Sequence, residues 1–125
     1  MLWGHVDMAY AYLAQGKVQQ AHQSFEESIR EMQNADLVIG LVFAVEGMAS
    51  LFVDQNQPER AVRLFAWADV MRAKIGNPRP PVEEKSVESD LAVLRSTLND
   101  DAYAKLFAEG STMTIEQAIP LALKD

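Results

Sequence analysis

Few side chains in this sequence are equipped for chemistry. His5 and His22 are the two imidazoles, and there is no cysteine. That absence excludes a thiol nucleophile, a thiolate zinc site and a disulfide framework. A metal at the histidines would need carboxylates such as Glu26 to converge on both, and they lie on different predicted helices. No metal or cofactor is therefore expected. Nucleophilic catalysis would rest on a Ser or Thr with His5 or His22, and no spacing supports that; there is no Gly-x-Ser-x-Gly elbow. The chain also lacks a Gly-rich dinucleotide loop and a Gly-x-x-x-x-Gly-Lys-Ser/Thr phosphate cradle. The carboxylate pairs Glu26-Glu27, Glu83-Glu84 and Asp100-Asp101 resemble acid–base couples only on paper, because adjacent residues on a helix point apart. The expectation is a chain without enzymatic chemistry.

Composition narrows the partners. The 125 residues carry a net charge of −7, the wrong sign for a general nucleic-acid surface. No apolar run approaches the ~18 residues of a membrane span, and the first residues lack the basic start of a signal peptide. A soluble, cytoplasmic protein with no membrane contact is expected. Charge is segregated: residues 59–79 hold five basic side chains against Glu59 and Asp69, and residues 83–101 hold six acidic ones against Lys85 and Arg95. These two segments either lie side by side or form separate solvated faces.

The elements that carry these residues follow helical periodicity throughout, with no sustained strand alternation. An Ala-rich apolar segment runs from Leu2 to Gln15, and Gly16 is a plausible helix-ending residue. Val18, Ala21, Phe25, Ile29 and Met32 form the stripe of a second helix. Asp36 is placed to N-cap a third, from about Leu37 to Gln55. Gly40 and Gly47 inside that helix are useful only if a neighbouring helix approaches closely. Pro58 suits the first turn of a fourth helix, whose stripe runs from Ala61 to Ile75 and which Gly76 closes. Asn77-Pro78-Arg79-Pro80-Pro81 breaks helical structure. A fifth helix then carries Val87, Leu91, Leu94 and Leu98. A sixth has Tyr103, Leu106 and Phe107 inward and ends at Gly110. Thr114 to Gln117 reads as a capping box opening a seventh, with Pro120 expected to kink or end it.

The first four helices are one unit repeated. A shift of forty residues brings Met8 onto Met48, Ala9 onto Ala49, Tyr12 onto Phe52, Ala21 onto Ala61 and Phe25 onto Phe65. A small residue on each helix lets two backbones approach, and an aromatic one turn away fills the space beside them. Such a hairpin cannot bury its face alone and must stack on neighbours.

This order of small and large residues resembles the tetratricopeptide repeat, although the period is about forty and His5 and Val45 stand at the family's tryptophan position. Gln55-Asn56-Gln57-Pro58-Glu59-Arg60-Ala61 is similar to a turn in the C-terminal regions of bacterial LuxR-type and signal-transduction ATPase regulators. So are Leu64 to Ala68, Ile75-Gly76, Pro80-Pro81, and the tail from Phe107 to Ile119. The resemblance covers nearly the whole chain. It implies an all-α fold: two tetratricopeptide-like hairpins over residues 1–76, a proline linker over 77–81 and capping helices over 82–125, together a short right-handed solenoid in one domain. It implies a protein–protein interaction module of a bacterial regulatory system, either free-standing or part of a longer chain.

By that family's register the inner face of each repeat's first helix would comprise Trp3, Asp7 and Tyr10, then Phe43, Glu46, Ser50 and Asp54. Aromatics beside carboxylates suit a peptide with basic or polar groups. The alternative is that Trp3, Tyr10 and Phe43 are core between stacked helices. A small-ligand sensor with a pocket between the repeats is the second functional reading. The apolar N-terminal edge of Leu2, Trp3, Val6 and Tyr10 also invites a second copy, so a homodimer is expected there.

Overall fold

At Gly16, Asp36, Asn56 and Gly76, twenty residues apart, the backbone turns left-handed, with φ of 74°, 59°, 58° and 66°. The same hydrogen bond follows each turn. Lys17 N–H donates to Tyr12 O, Leu37 N–H to Met32 O, Gln57 N–H to Phe52 O and Asn77 N–H to Arg72 O, at 2.8–3.0 Å. This is the Schellman arrangement, which satisfies carbonyls left open at a helix end. Glycine takes the left-handed region without a Cβ clash, and Asp and Asn tolerate it better than other residues.

The computed structural model describes residues 2–123, with the side chains from Gly4 onward. Among them are seven helices and no strand: α1 (Leu2–Ala14), α2 (Val18–Asn34), α3 (Val38–Asp54), α4 (Pro58–Ile75), α5 (Pro81–Thr97), α6 (Asp100–Ser111) and α7 (Ile115–Leu123). The chain is all-α, as the periodicity predicts. Helices α2, α3 and α4 begin at residues 18, 38 and 58, so the forty-residue repeat is built from two equal helix-and-turn units. Each three-residue turn reverses the chain, and α1 to α4 pack consecutively, each against the next.

The core lies where the repeat predicts. Ala9, Ala21, Ala49 and Ala61 are fully buried, as are Phe25, Phe52 and Phe65. Each enclosed aromatic contributes about 1.5–3 kcal/mol relative to an exposed one. Met48 is enclosed while its counterpart Met8 is exposed, and Tyr12 is only partly buried where Phe52 is fully so. The two mid-helix glycines mark close approaches. A Cβ on Gly40 would overlap Met32, and one on Gly47 would overlap the Phe25 ring and lie 2.9 Å from Tyr10 Cζ.

Three expectations are corrected. Asp36 does not cap α3: Leu37 occupies the N-cap position, with no side-chain cap, and Asp36 serves the reversal one residue earlier through its left-handed backbone. Gly110 does not end α6, which continues to Ser111. It is instead where α6 meets α4, since a Cβ there would lie 2.7 Å from Arg63 Cα. Of the two outcomes expected at Pro120, a kink or an end, the end does not occur, because α7 runs on to Leu123. Thr114 and Gln117 form the expected capping box, with bonds of 2.9 and 3.2 Å.

The twenty-residue rhythm fails once. A fourth interval would start a helix at Pro78, but α5 starts at Pro81. Arg79 and Pro80 each precede a proline, and the proline ring forces the preceding residue out of helical geometry. After this delay it is α6, not α5, that packs along α4. Arg63 reinforces that contact by binding Glu109 at 2.9 Å. Helix α7 closes against α3 and α4, where the Arg60 guanidinium donates twice to Leu121 O, at 2.6 and 3.1 Å, and sits 3.9 Å from the Phe52 ring centre.

Candidate functional site

Displacing α5 leaves a cavity of about 440 Å³ between it and the repeats. Tyr10, Leu13 and Ala14 of α1 form one wall, Glu46 and Ser50 of α3 the floor, and Phe65 of α4 the back. The fourth side is a single face of α5. Val82, Glu83, Ser86, Val87 and Asp90 recur at spacings of three and four.

Tyr10 is fixed by both ends. Its ring meets Phe25 edge-on with centroids 5.1 Å apart, and its hydroxyl donates to Phe43 O at 2.8 Å. The hydroxyl end rests against Gly47, where a larger residue would collide with it. Burial there, and then the charges of Glu46 and Glu83, push the phenol above its ordinary pKa.

Glu46 is held from behind. Arg72 Nε donates to its Oε2 at 2.8 Å, and Arg79 Nε binds Oε1. Arg79 also reaches Asp69 at 2.5 Å and Glu84 at 3.4 Å. Burial opposes the Arg79 charge, but Glu46 and Asp69 outweigh it and raise the guanidinium pKa. Arg72 lies 4.7 Å from the Phe43 ring centre and donates to Asn77 O at 3.1 Å. The network ties the proline segment to α3 and α4. It also commits Glu46 to structure, because both carboxylate oxygens already accept from guanidinium groups.

Asp90 is the other anchored carboxylate. Ser50 Oγ donates to Asp90 Oδ2 at 2.6 Å. Burial raises the Asp90 pKa above its ordinary value, the Ser50 bond opposes that, and the nearby charge of Asp54 adds to it. Oδ1 is not engaged by Ser50. Among the described residues, no cationic side chain lines the cavity, whereas Glu46, Glu83 and Asp90 do.

Of the residues expected on the inner face, Tyr10, Glu46 and Ser50 come together at this cavity. Phe43 contributes its carbonyl to Tyr10 and its ring to Arg72 rather than a cavity wall. Asp54, the last residue of α3, is exposed and acts on Asp90 through its charge. Asp7 is exposed away from the lining. The Leu2 and Trp3 side chains lie outside the described residues. Within the expected dimer edge, Val6 is buried in the hairpin core, whereas Tyr10, at the groove, remains 38% exposed. Ser86 and Asp90 escape the sequence reading, and Glu83 is weighed there only as an acid–base pair with Glu84, because all three belong to α5, which the repeat does not include. Their signal was the cluster of carboxylates just after the proline segment.

The histidines do not form a site together. His5 bridges two α2 carboxylates, Glu31 at Nδ1 (2.7 Å) and Glu27 at Nε2 (3.0 Å). The carboxylates occupy opposite ring nitrogens, so they do not converge on one point. His22 packs against the Phe52 ring, 6.3 Å between centres, with Glu26 at 3.9 Å. Among the described residues no group of His, Asp and Glu is arranged to hold a metal ion, and no helix is long and apolar enough to cross a membrane. Arg79 and Glu84 join the two charged segments at 3.4 Å. Arg72 and Arg63 turn elsewhere, to Glu46 and Glu109.

No protein-family model matches the chain, and no match was found among curated proteins or solved structures.

Proposed function

We propose that this chain is a helical-repeat interaction module that receives a segment of a partner protein in the groove between α1, α3 and α5. The observation carrying this reading is the open cavity at the groove, whose lining combines apolar side chains with carboxylates. A helix face that only completed a core would turn apolar residues inward. Helix α5 does this in part, burying Val87 and Leu94, but the same helix also brings Glu83, Ser86 and Asp90 to the cavity. Local departures from the packing pattern concentrate at functional positions. The buried arginine network supports the reading, because it ties the proline segment that leads into α5 to α3 and α4.

The resemblance of the repeats and the tail to tetratricopeptide-like regions of bacterial LuxR-type regulators adds the setting: a short right-handed solenoid working in a bacterial regulatory system by recognition without chemistry. Peptide selection from a displayed random library tests the groove. Ser86 is exposed on α5 at the cavity, so Ser86→Trp fills the groove without disturbing the core. Enriched peptides that bind the wild type and lose at least tenfold against Ser86→Trp support the reading. Enriched peptides indifferent to the substitution, or no enrichment, overturn it.

A second reading, a small-ligand sensor, draws on the same cavity, whose volume lies within the range of small-molecule pockets. It predicts that a metabolite panel includes a compound protecting the fold against heat in the wild type but not in Ser86→Trp.

A further inference from the structure

We infer that the groove carries a subsite for a lysine side chain, with the ammonium bound at Asp90 and the aliphatic stem along Leu13, Phe65 and Val87. This rests on the groove being the recognition surface and specifies what it recognises. The apolar lining demands a ligand with an apolar body, and the carboxylates demand a positive end. An isolated cation would gain nothing from the walls, and a wholly apolar side chain would leave a half-buried carboxylate facing it.

Three observations favour an ammonium over a guanidinium. Glu46 is unavailable, because Arg72 and Arg79 occupy both its oxygens. Asp90 Oδ2 already accepts from Ser50 at 2.6 Å, so a ligand that needs both oxygens must share Oδ2, whereas one that needs a single oxygen can use Oδ1. Arginine binds carboxylates best through a two-pronged fork that needs both oxygens, whereas an ammonium is a compact charge that one oxygen and neighbouring hydroxyls can hold. The third is supply: Ser50 and Ser86 border the cavity beside Asp90, and their oxygens can accept the remaining ammonium protons. Glu83 lies two helical turns away, about 10 Å along the axis, and faces the mouth. It attracts a basic segment but does not share the same cation. The cation is also missing from the protein's own side: among the described residues, no Lys, Arg or His lines the cavity.

Nα-acetyl-lysine methylamide titrated into the ¹⁵N-labelled full chain is the direct probe, with the arginine and norleucine analogues as comparisons. Saturable amide shifts are expected at Ser50, Val87 and Asp90, with affinity at least tenfold above norleucine and several-fold above arginine. Asp90→Asn should reduce lysine binding about tenfold while leaving spectral dispersion intact, and Ser50→Ala should narrow the lysine–arginine gap by freeing the second oxygen. Equal binding of the three probes, shifts scattered over Glu59, Glu88 and Asp100, or indifference to Asp90→Asn overturns the assignment. Peptides that select against Ser86→Trp yet contain no required lysine would also overturn it while leaving the groove reading standing.

Discussion

Arg79 reaches back thirty-three residues to bond Glu46, and both side chains are only 6% exposed. Arg72 approaches the same carboxylate from α4. One buried anion thus serves two buried cations, and although Arg79 keeps Asp69 and Glu84, removing it should be costly for Arg72 in a way that exposed pairs never are. Glu46→Gln is expected to lower stability by about 3–5 kcal/mol, the usual cost of leaving buried charge unpaired. Arg79→Met should cost less, because Arg72 continues to hold Glu46. Urea unfolding at neutral pH reads both, and equal losses would show that the two arginines are not sharing the carboxylate.

Gly110 and Gly40 separate two kinds of tight approach. Gly110→Ala drives a methyl into the Arg63 backbone, which cannot yield without moving α4 or α6. A loss at or above the ~1–3 kcal/mol typical of overpacking is expected, with faster amide exchange across α6. At Gly40 the obstruction is the flexible Met32 side chain, and alanine recovers up to about 1 kcal/mol of helix propensity. Gly40→Ala should therefore cost much less. Denaturant midpoints for the pair rank them, and the reverse order would contradict the α4–α6 packing.

The four left-handed turns should respond in opposite directions. Alanine at Gly16 or Gly76 forces a Cβ into that region and should cost about 1–2 kcal/mol. Asp36→Gly removes the same strain and should stabilise the protein by up to about 1 kcal/mol. Thermal melts of the three variants test this, and a destabilised Asp36→Gly would mean the Asp36 side chain contributes more than its backbone angle.

These turns also show what the sequence makes legible. Gly16 and Gly76 announce themselves because glycine at a helix end is the common solution. Asp36 does not, because the same residue type is a good N-cap one position later, and only the backbone angle distinguishes the roles. Gly40 and Gly47 imply close packing without naming the neighbour; Gly110, near a helix end, mimics a terminator. At the groove, Tyr10, Glu46 and Ser50 are found because they sit in the repeat. Glu46 proves to be an anchor, since its partner Arg79 lies in a proline-rich stretch with no periodicity to orient it. The contribution of α5 depends on a three-residue delay that redirects a whole helix, and no local pattern specifies where a redirected helix lands.

Asp90 gives a pH signature. Its pKa is raised in the folded chain, so between the unfolded value, about 3.9, and the raised folded value the native state binds more protons. Stability from this group is then lost as pH rises through that window and regained as pH falls. Asp90→Asn, which cannot ionise, should melt above the wild type at pH 7, with the difference closing in acid. Melting temperatures across pH 3–7 check this. A constant difference, or a wild type that melts higher at neutral pH, would contradict a carboxyl disfavoured by its surroundings.

The equal spacing of the left-handed turns bears on how such a molecule changes size. Gly16, Asp36, Asn56 and Gly76 carry the same backbone bond at the same interval, so the joints are interchangeable. Excising or duplicating forty residues between matching joints returns the chain to the same direction with every turn intact. Twenty residues would reverse it and present the wrong side of the next helix. Length can therefore vary by whole hairpins without new turn chemistry, and the proline segment at 78–81 becomes the stop that decides where growth ends and the groove begins.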